Sequence, residues 1–246
     1  MSDDRRDHFE TTRWSLVLAA GGSDSAAARQ ALATLCETYW RPIYLYTRKS
    51  GYSAEDAQDL TQAFLALLLE RHDFEHVRRE RGRLRAFLLA SLRHFLMNDA
   101  VHRHALKRGG GGALLSLDFQ NVEAQYIRAP VDRRTPETLF ERQWALDLVN
   151  QVRRRLRTEW QAAGKAEEFE ILKGCLEEKL PRGGYQPLAA RLGCTENAVR
   201  IAAHRLRKRF REELRATIAD TLPPAEANDE RAIDDELRHI FQALRN

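Results

Sequence analysis

Apolar residues recur along this chain at intervals of three and four, and no run of alternating β-branched residues is long enough for a strand. The pattern predicts an all-α protein. From about Ser25 to Lys49, Leu32, Leu35, Tyr39, Ile43 and Tyr46 share one helical face, and Pro42 is expected to bend that helix because it lacks a backbone donor. Gly51 ends it. Ser53, with Asp56 three places on, fits a capped helix start, and Ala57, Leu60, Phe64, Leu67 and Leu68 mark the buried stripe that follows. A third helix, from about Arg83 to Lys107, is expected to bury Leu84, Leu88, Leu92 and Phe95.

Gly109 to Gly112 then break the pattern, since each glycine in a helix interior costs about 1 kcal/mol. They read as the start of a linker over 109–134, not as a phosphate loop, because no Gly-Lys-Ser/Thr follows them and no strand leads into them. Thr135 as cap and Pro136 at the first helical position restart regular structure. Helices are expected over about Pro136 to Ala163, Ala166 to Leu180, Pro187 to Leu192 and Thr195 to Ala219, and Pro223-Pro224 closes the domain. A tail segment, Glu230 to Leu244, places Ile233, Leu237, Ile240, Phe241 and Leu244 on one face. Near the start, Phe9 to Ala20, with Trp14, Leu16, Val17 and Leu18, forms a short apolar element expected to pack on the first domain. The expected organisation is an N-terminal extension (1–24), a helical domain (25–108), the linker (109–134), a second helical domain (135–222) and a C-terminal extension (223–246).

With 246 residues, 43% of them hydrophobic and 31% charged, the chain suits one or two packed domains and excludes fibrous and wholly disordered classes. Its longest apolar run, Ala63 to Leu69, is too short to span a bilayer, so no membrane insertion is expected. Met1 to Glu10 is polar and carries four acids, which predicts no secretory signal and a cytoplasmic protein. Cys36, Cys175 and Cys194 are odd in number and form no CxxC pair, as expected of buried thiols in a reducing compartment. Neither a metal nor another cofactor is implied.

Charge is distributed unevenly behind a net of +4. His76 to Arg108 carries nine Arg/Lys against Glu80 and Asp99, and Arg182 to Arg215 carries nine against Glu196, Glu212 and Glu213. The stretch from Asp220 to Asn246 reverses this, with seven acids and three arginines. Two separated basic surfaces point to a polyanion held at two places, although such runs also serve as plain solvated helix faces.

The most specific signal is the run from Leu188 to Ala202, which has helix-turn-helix spacing. Ala189 lets two helices cross closely, Gly193 permits the turn, and Thr195 can cap a second helix whose Val199, Ala202 and Leu206 face inward. Glu196, Asn197, Arg200, His204 and Arg207 then face outward, where a recognition helix reads base edges, with Lys208 expected on phosphate. A purely structural helical hairpin is the bland alternative. In the first domain, Glu55, Asp56 and Asp59 stand beside Gln62 near a helix start, a placement that dipole complementarity alone also explains. Farther on, His94, Asn98 and His102 form a row flanked by Arg93 and Arg103.

Taken together, these segments resemble the extracytoplasmic-function sigma factors, the small two-domain promoter-specificity subunits of bacterial RNA polymerase. Glu55-Asp56-Ala57-Gln58-Asp59-Leu60-Thr61-Gln62 is similar to the family's acidic segment, and the resemblance implies that Glu55, Asp56, Asp59 and Gln62 contact the polymerase clamp helices. Arg85 to Arg103 resembles the segment that melts and reads the minus-ten element, which implies that role for Arg93, His94, Asn98, His102 and Arg103. Leu188 to Arg209 resembles the module that reads the minus-thirty-five element, implying duplex contacts from Thr195, Glu196, Asn197, Arg200, His204, Arg207 and Lys208 and a second polymerase contact at the flap. Gln58 and Ala63 stand where the family often carries acids, and Phe87 and Asn98 where it often carries tryptophan and aspartate.

The function expected is therefore that of a sigma factor, not an enzyme, with core polymerase and promoter DNA as partners. An anti-sigma protein or a Ser/Thr kinase would be its regulator, and Thr61 is the candidate phosphorylation site because a phosphate there would add charge to the clamp-facing helix. The tail acids Asp229, Glu230, Asp234, Asp235 and Glu236 are a second candidate switch, covering a basic DNA-binding helix. One rival is a helix-turn-helix regulator that does not join polymerase. A metal-dependent nuclease or phosphohydrolase built on His72, Asp73 and His76, or on His102 and His104, is another, but no complete site is visible in the sequence.

Overall fold

The computed structural model describes residues 26–71, 84–102, 117–128, 134–176, 184–223 and 225–245. The expected Phe9 to Ala20 element and the glycine run Gly109 to Gly112 lie outside them. Among the described residues the chain is all-helical and has no strand: α1 (Ala26–Lys49), α2 (Ala54–Arg71), α3 (Leu84–His102), α4 (Phe119–Arg128), α5 (Pro136–Ala162), α6 (Ala166–Leu172) continued by a 3-10 turn (Lys173–Leu176), α7 (Gln186–Leu192), α8 (Glu196–Thr221) and α9 (Glu230–Arg245). None of the described helices is long and apolar enough to cross a membrane. They fold as two compact units, one comprising the chain up to Leu146 together with Ile218 onward, the other Asp147–Thr217.

Helix α1 is the axis of the first unit. Its last four turns bury Cys36, Tyr39, Trp40, Ile43, Tyr44, Leu45, Tyr46 and Thr47, so it is covered nearly all round and not along a single stripe. The helix runs through Pro42 and stops at Gly51, whose φ of 98° suits the left-handed position that only glycine takes at little cost. Ser53 starts α2 as expected: its hydroxyl accepts the Asp56 amide at 3.1 Å and donates to the Asp56 carboxylate at 2.8 Å. Leu60, Phe64 and Leu68 are buried there, but Leu65 joins them while Leu67 is only half-buried. On α3 the buried stripe is Leu84, Leu88, Leu92 and Leu96 at strict four-residue spacing; Phe95 is half-buried, with its ring 5.5 Å from Phe64.

The expected linker contains a helix. Asp118 caps α4 by accepting the Asn121 amide, and Phe119 sets its ring edge-on against Trp40 and Tyr44, with centroids 5.0 and 5.2 Å apart. One turn later Glu123 takes a hydrogen bond from the Tyr44 hydroxyl at 2.6 Å and a two-pronged one from Arg48 at 2.7 and 2.9 Å. A segment anchored by two rings and a bidentate ion pair is an integral part of the first unit.

The expected border at residue 135 also moves. Thr135 does cap α5, accepting the Thr138 amide at 3.2 Å, but Phe140 and Trp144 on its first half belong to the α1 core, where the Trp144 indole donates to the Tyr39 hydroxyl at 3.2 Å. The division between units therefore falls within α5 at Leu146, and again within α8 at Thr217. Helix α9 is not an appendage, because it belongs to the first unit and buries Ile233, Glu236, Ile240 and Ala243. Phe241, on the apolar face by its spacing, is 55% exposed, since the packed face is rotated toward Glu236. That carboxylate pairs with Arg85, which is itself buried, donates to Glu141 at 2.8 Å and lies with its guanidinium 4.8 Å from the centre of the Trp144 ring. His239 meets Glu141 from α9 at 2.9 Å, and Arg142 reaches the Leu244 carbonyl.

Candidate nucleic-acid interface

The second unit contains the helix-turn-helix. Helix α7 buries Ala189, and Gly193 turns the chain at φ 62°, ψ 30°, while the Cys194 amide bonds back to the Ala189 carbonyl at 3.1 Å. Thr195 caps α8 as predicted: its hydroxyl accepts the Ala198 amide at 3.2 Å and its carbonyl accepts the Val199 amide at 3.1 Å. Val199, Ala203 and Leu206 form the inward stripe, so Ala203 takes the place expected of Ala202.

Opposite that stripe, Asn197, Arg200, His204 and Lys208 are exposed and Glu196 is half-buried. Arg200 donates to Glu196 at 3.1 Å, one helical turn back, and its guanidinium stands 6.0 Å from the centre of the Tyr185 ring. Arg207 departs from expectation. It is half-buried, donates to the Cys175 carbonyl at 2.8 Å and to the Tyr185 hydroxyl at 2.9 Å, and thereby ties α8 to the 3-10 turn and to the start of α7. It braces the motif from behind. Arg205 and Ile201, which the sequence reading left out, complete the exposed face. Counting from the inward stripe at 199, 203 and 206 would have found both, since 201 and 205 lie across the helix from it.

In the first unit, Glu55 and Asp59 are exposed at the start of α2, and Asp56 and Gln62 are half-buried. Thr61 is fully buried, and its hydroxyl donates to the Ala57 carbonyl at 2.7 Å. It cannot serve as a phosphorylation site in the folded chain, because a kinase would have to extract it from the core. Thr61 has polar neighbours in sequence, but its position four residues from both Ala57 and Leu65, which are buried, puts it on the packed side.

Along α3, Arg93, His94 and Asn98 are exposed together with Met97; the side chain of His102 and all of Arg103 lie outside the described residues. Arg93 is already engaged: it donates to Glu137 at 2.6 Å, and the Tyr46 hydroxyl reaches the same carboxylate at 3.2 Å. The Arg93 guanidinium first, then the backbone amide of Glu137 and the Thr135 side chain, hold the Glu137 carboxyl down at about 2. Arg85 is a core residue, so the basic run from Arg85 to Arg103 is not one continuous surface.

Cys36 and Cys175 are buried as expected, and burial pushes the Cys36 thiol up to about 12; Cys194, in the turn, is exposed. Among the described residues no group of three or more His, Cys, Asp or Glu is placed to hold a metal ion. The residues His72, Asp73, His76 and His104 lie outside the described residues. The tail acids do not behave as one surface: Asp229 bonds the Arg231 amide at the start of α9, Asp235 pairs with Arg238 in the same helix, and Glu236 is sealed on Arg85. Comparisons with protein-family models, with curated proteins and with solved structures found no match.

Proposed function

We propose that this chain is a promoter-specificity factor of the sigma type, which joins bacterial core RNA polymerase and directs it to DNA, with its second unit reading duplex DNA. The observation that carries the reading is the helix-turn-helix itself, in which a Thr195-capped helix presents Asn197, Arg200, His204, Arg205 and Lys208 on one exposed face. Near such a helix start a guanidinium matches the two acceptors of guanine and an amide matches the acceptor and donor of adenine in the major groove, while Arg205 and Lys208 farther along suit phosphates. The exposed acids Glu55 and Asp59 on α2 supply negative charge for a basic polymerase surface, and His94, Met97 and Asn98 on α3 supply flat, polar and apolar groups for unstacked bases. Arg93 would have to exchange Glu137 for a phosphate to join them. An anti-sigma protein is the regulator compatible with this reading, whereas phosphorylation of Thr61 is not.

In vitro transcription with core polymerase and genomic fragments tests the proposal. Defined transcripts that depend on the added chain are expected, and Arg200→Ala should relax preference at one base pair at a cost of about 1 to 3 kcal/mol. DNA binding without copurification of polymerase would instead make the chain an ordinary helix-turn-helix regulator.

A further inference from the structure

Of the most exposed large apolar side chains among the described residues, Ile201 alone lies in the second unit, with 45% of its surface open. It is the sixth residue of α8, one turn and a half beyond the Thr195 cap. Asn197 and Arg205 stand one turn to either side on its face, Arg200 and His204 flank it, and all four are exposed. A lone surface isoleucine needs no explanation in general. Here it sits within the ring of groups that would grip a polyanion, at the depth along the helix where base edges are reached. The major groove offers one apolar feature to such a side chain, the C5-methyl group of thymine. Isoleucine is well suited to it, because in a helix the branched side chain keeps essentially one χ1 rotamer and loses little freedom on docking.

We infer that Ile201 is a specificity-determining residue that packs against a thymine methyl in the major groove of duplex DNA. This inference rests on the DNA-reading role of α8 proposed above. Arg200 and Asn197 on one side, and His204 and Arg205 on the other, hold the helix in the groove through hydrogen bonds and charge, and Ile201 selects thymine at the position between them. Cytosine, which presents hydrogen in place of the methyl group and a donor in place of the O4 acceptor, would be rejected there.

The test uses the full chain, alone and bound to core polymerase, with a duplex selected from a randomised pool and then resynthesised with deoxyuridine replacing thymidine. Loss of each contacted methyl should weaken binding about fourfold. Ile201→Ala should bind the thymidine and deoxyuridine duplexes equally well, with helicity and the salt dependence of binding unchanged because its phosphate contacts remain. Equal binding of both duplexes by the parent chain would overturn the inference while leaving DNA reading by α8 intact. So would an undiminished deoxyuridine penalty in Ile201→Ala, or an Ile201→Ala defect confined to polymerase binding. Failure to retain any duplex in either form would overturn both readings.

Discussion

Replacing Glu236 by alanine probes the contact that makes α9 part of the first unit. Side-chain exposure at the Arg85–Glu236 pair is 6% and 1%, so water does little to screen either charge. Removing one member of such a pair typically costs about 3 to 5 kcal/mol, because the other is left buried without its counter-charge. Arg85 retains Glu141 at 2.8 Å and the Trp144 ring, so the lower end, about 3 kcal/mol, is expected for Glu236→Ala. Arg85→Met combined with Glu236→Leu removes both charges and keeps the volume, and should cost much less than the sum of the two single changes. Urea unfolding together with native-state hydrogen exchange of the α3 and α9 amides reads both quantities. The reasoning fails if Glu236→Ala costs less than about 1 kcal/mol, or if the double variant is as damaging as its components added together, since the pair would then contribute no coupled interaction.

The same contact explains what the sequence concealed. Helix positions were legible because periodicity and caps are local: Ser53, Thr135 and Thr195 each cap the helix that their spacing implied, and Gly51 and Gly193 sit at its stops with positive φ. Charges were harder to read. Arg85, Arg93 and Arg207 were indistinguishable in sequence from solvated cations, yet Glu236, Glu137 and the Cys175 carbonyl engage them across 151, 44 and 32 positions. No local pattern encodes partners that far apart, so a count of basic residues overstates the surface that faces a polyanion. Helix α4 was missed for a different reason. The glycine run coloured the whole stretch as linker, although Asp118, Phe119 and Val122 carry a cap and two apolar positions at helical spacing.

Three further outcomes follow from the geometry. Native protein treated with a thiol reagent should label Cys194 alone, with Cys36 and Cys175 reacting only on unfolding; mass spectrometry of the modified peptides checks this. Glu137, held at about 2 against an ordinary 4.5, favours the folded state fully above about pH 4.5, and that contribution disappears as the pH falls toward 2; because the pair is well exposed it should be worth under about 1 kcal/mol. Carboxyl NMR of Arg93→Ala should show Glu137 titrating back near its ordinary range, and an unchanged titration would mean that Arg93 is not the cause. Finally, Arg207→Ala separates bracing from reading. It removes hydrogen bonds to the Cys175 carbonyl and the Tyr185 hydroxyl from a half-buried site, so it should lower the stability of the helix-turn-helix by about 1 to 3 kcal/mol. Any loss of DNA affinity should then be uniform across sequences and recover on cooling or with a stabilising co-solvent, because the defect lies in the population of folded motif. Arg200→Ala should show the opposite behaviour, with full stability and altered preference at one base pair. If Arg207→Ala instead changed base preference at undiminished stability, Arg207 would have to leave Cys175 and Tyr185 on binding, and the brace would be a feature of the free chain alone.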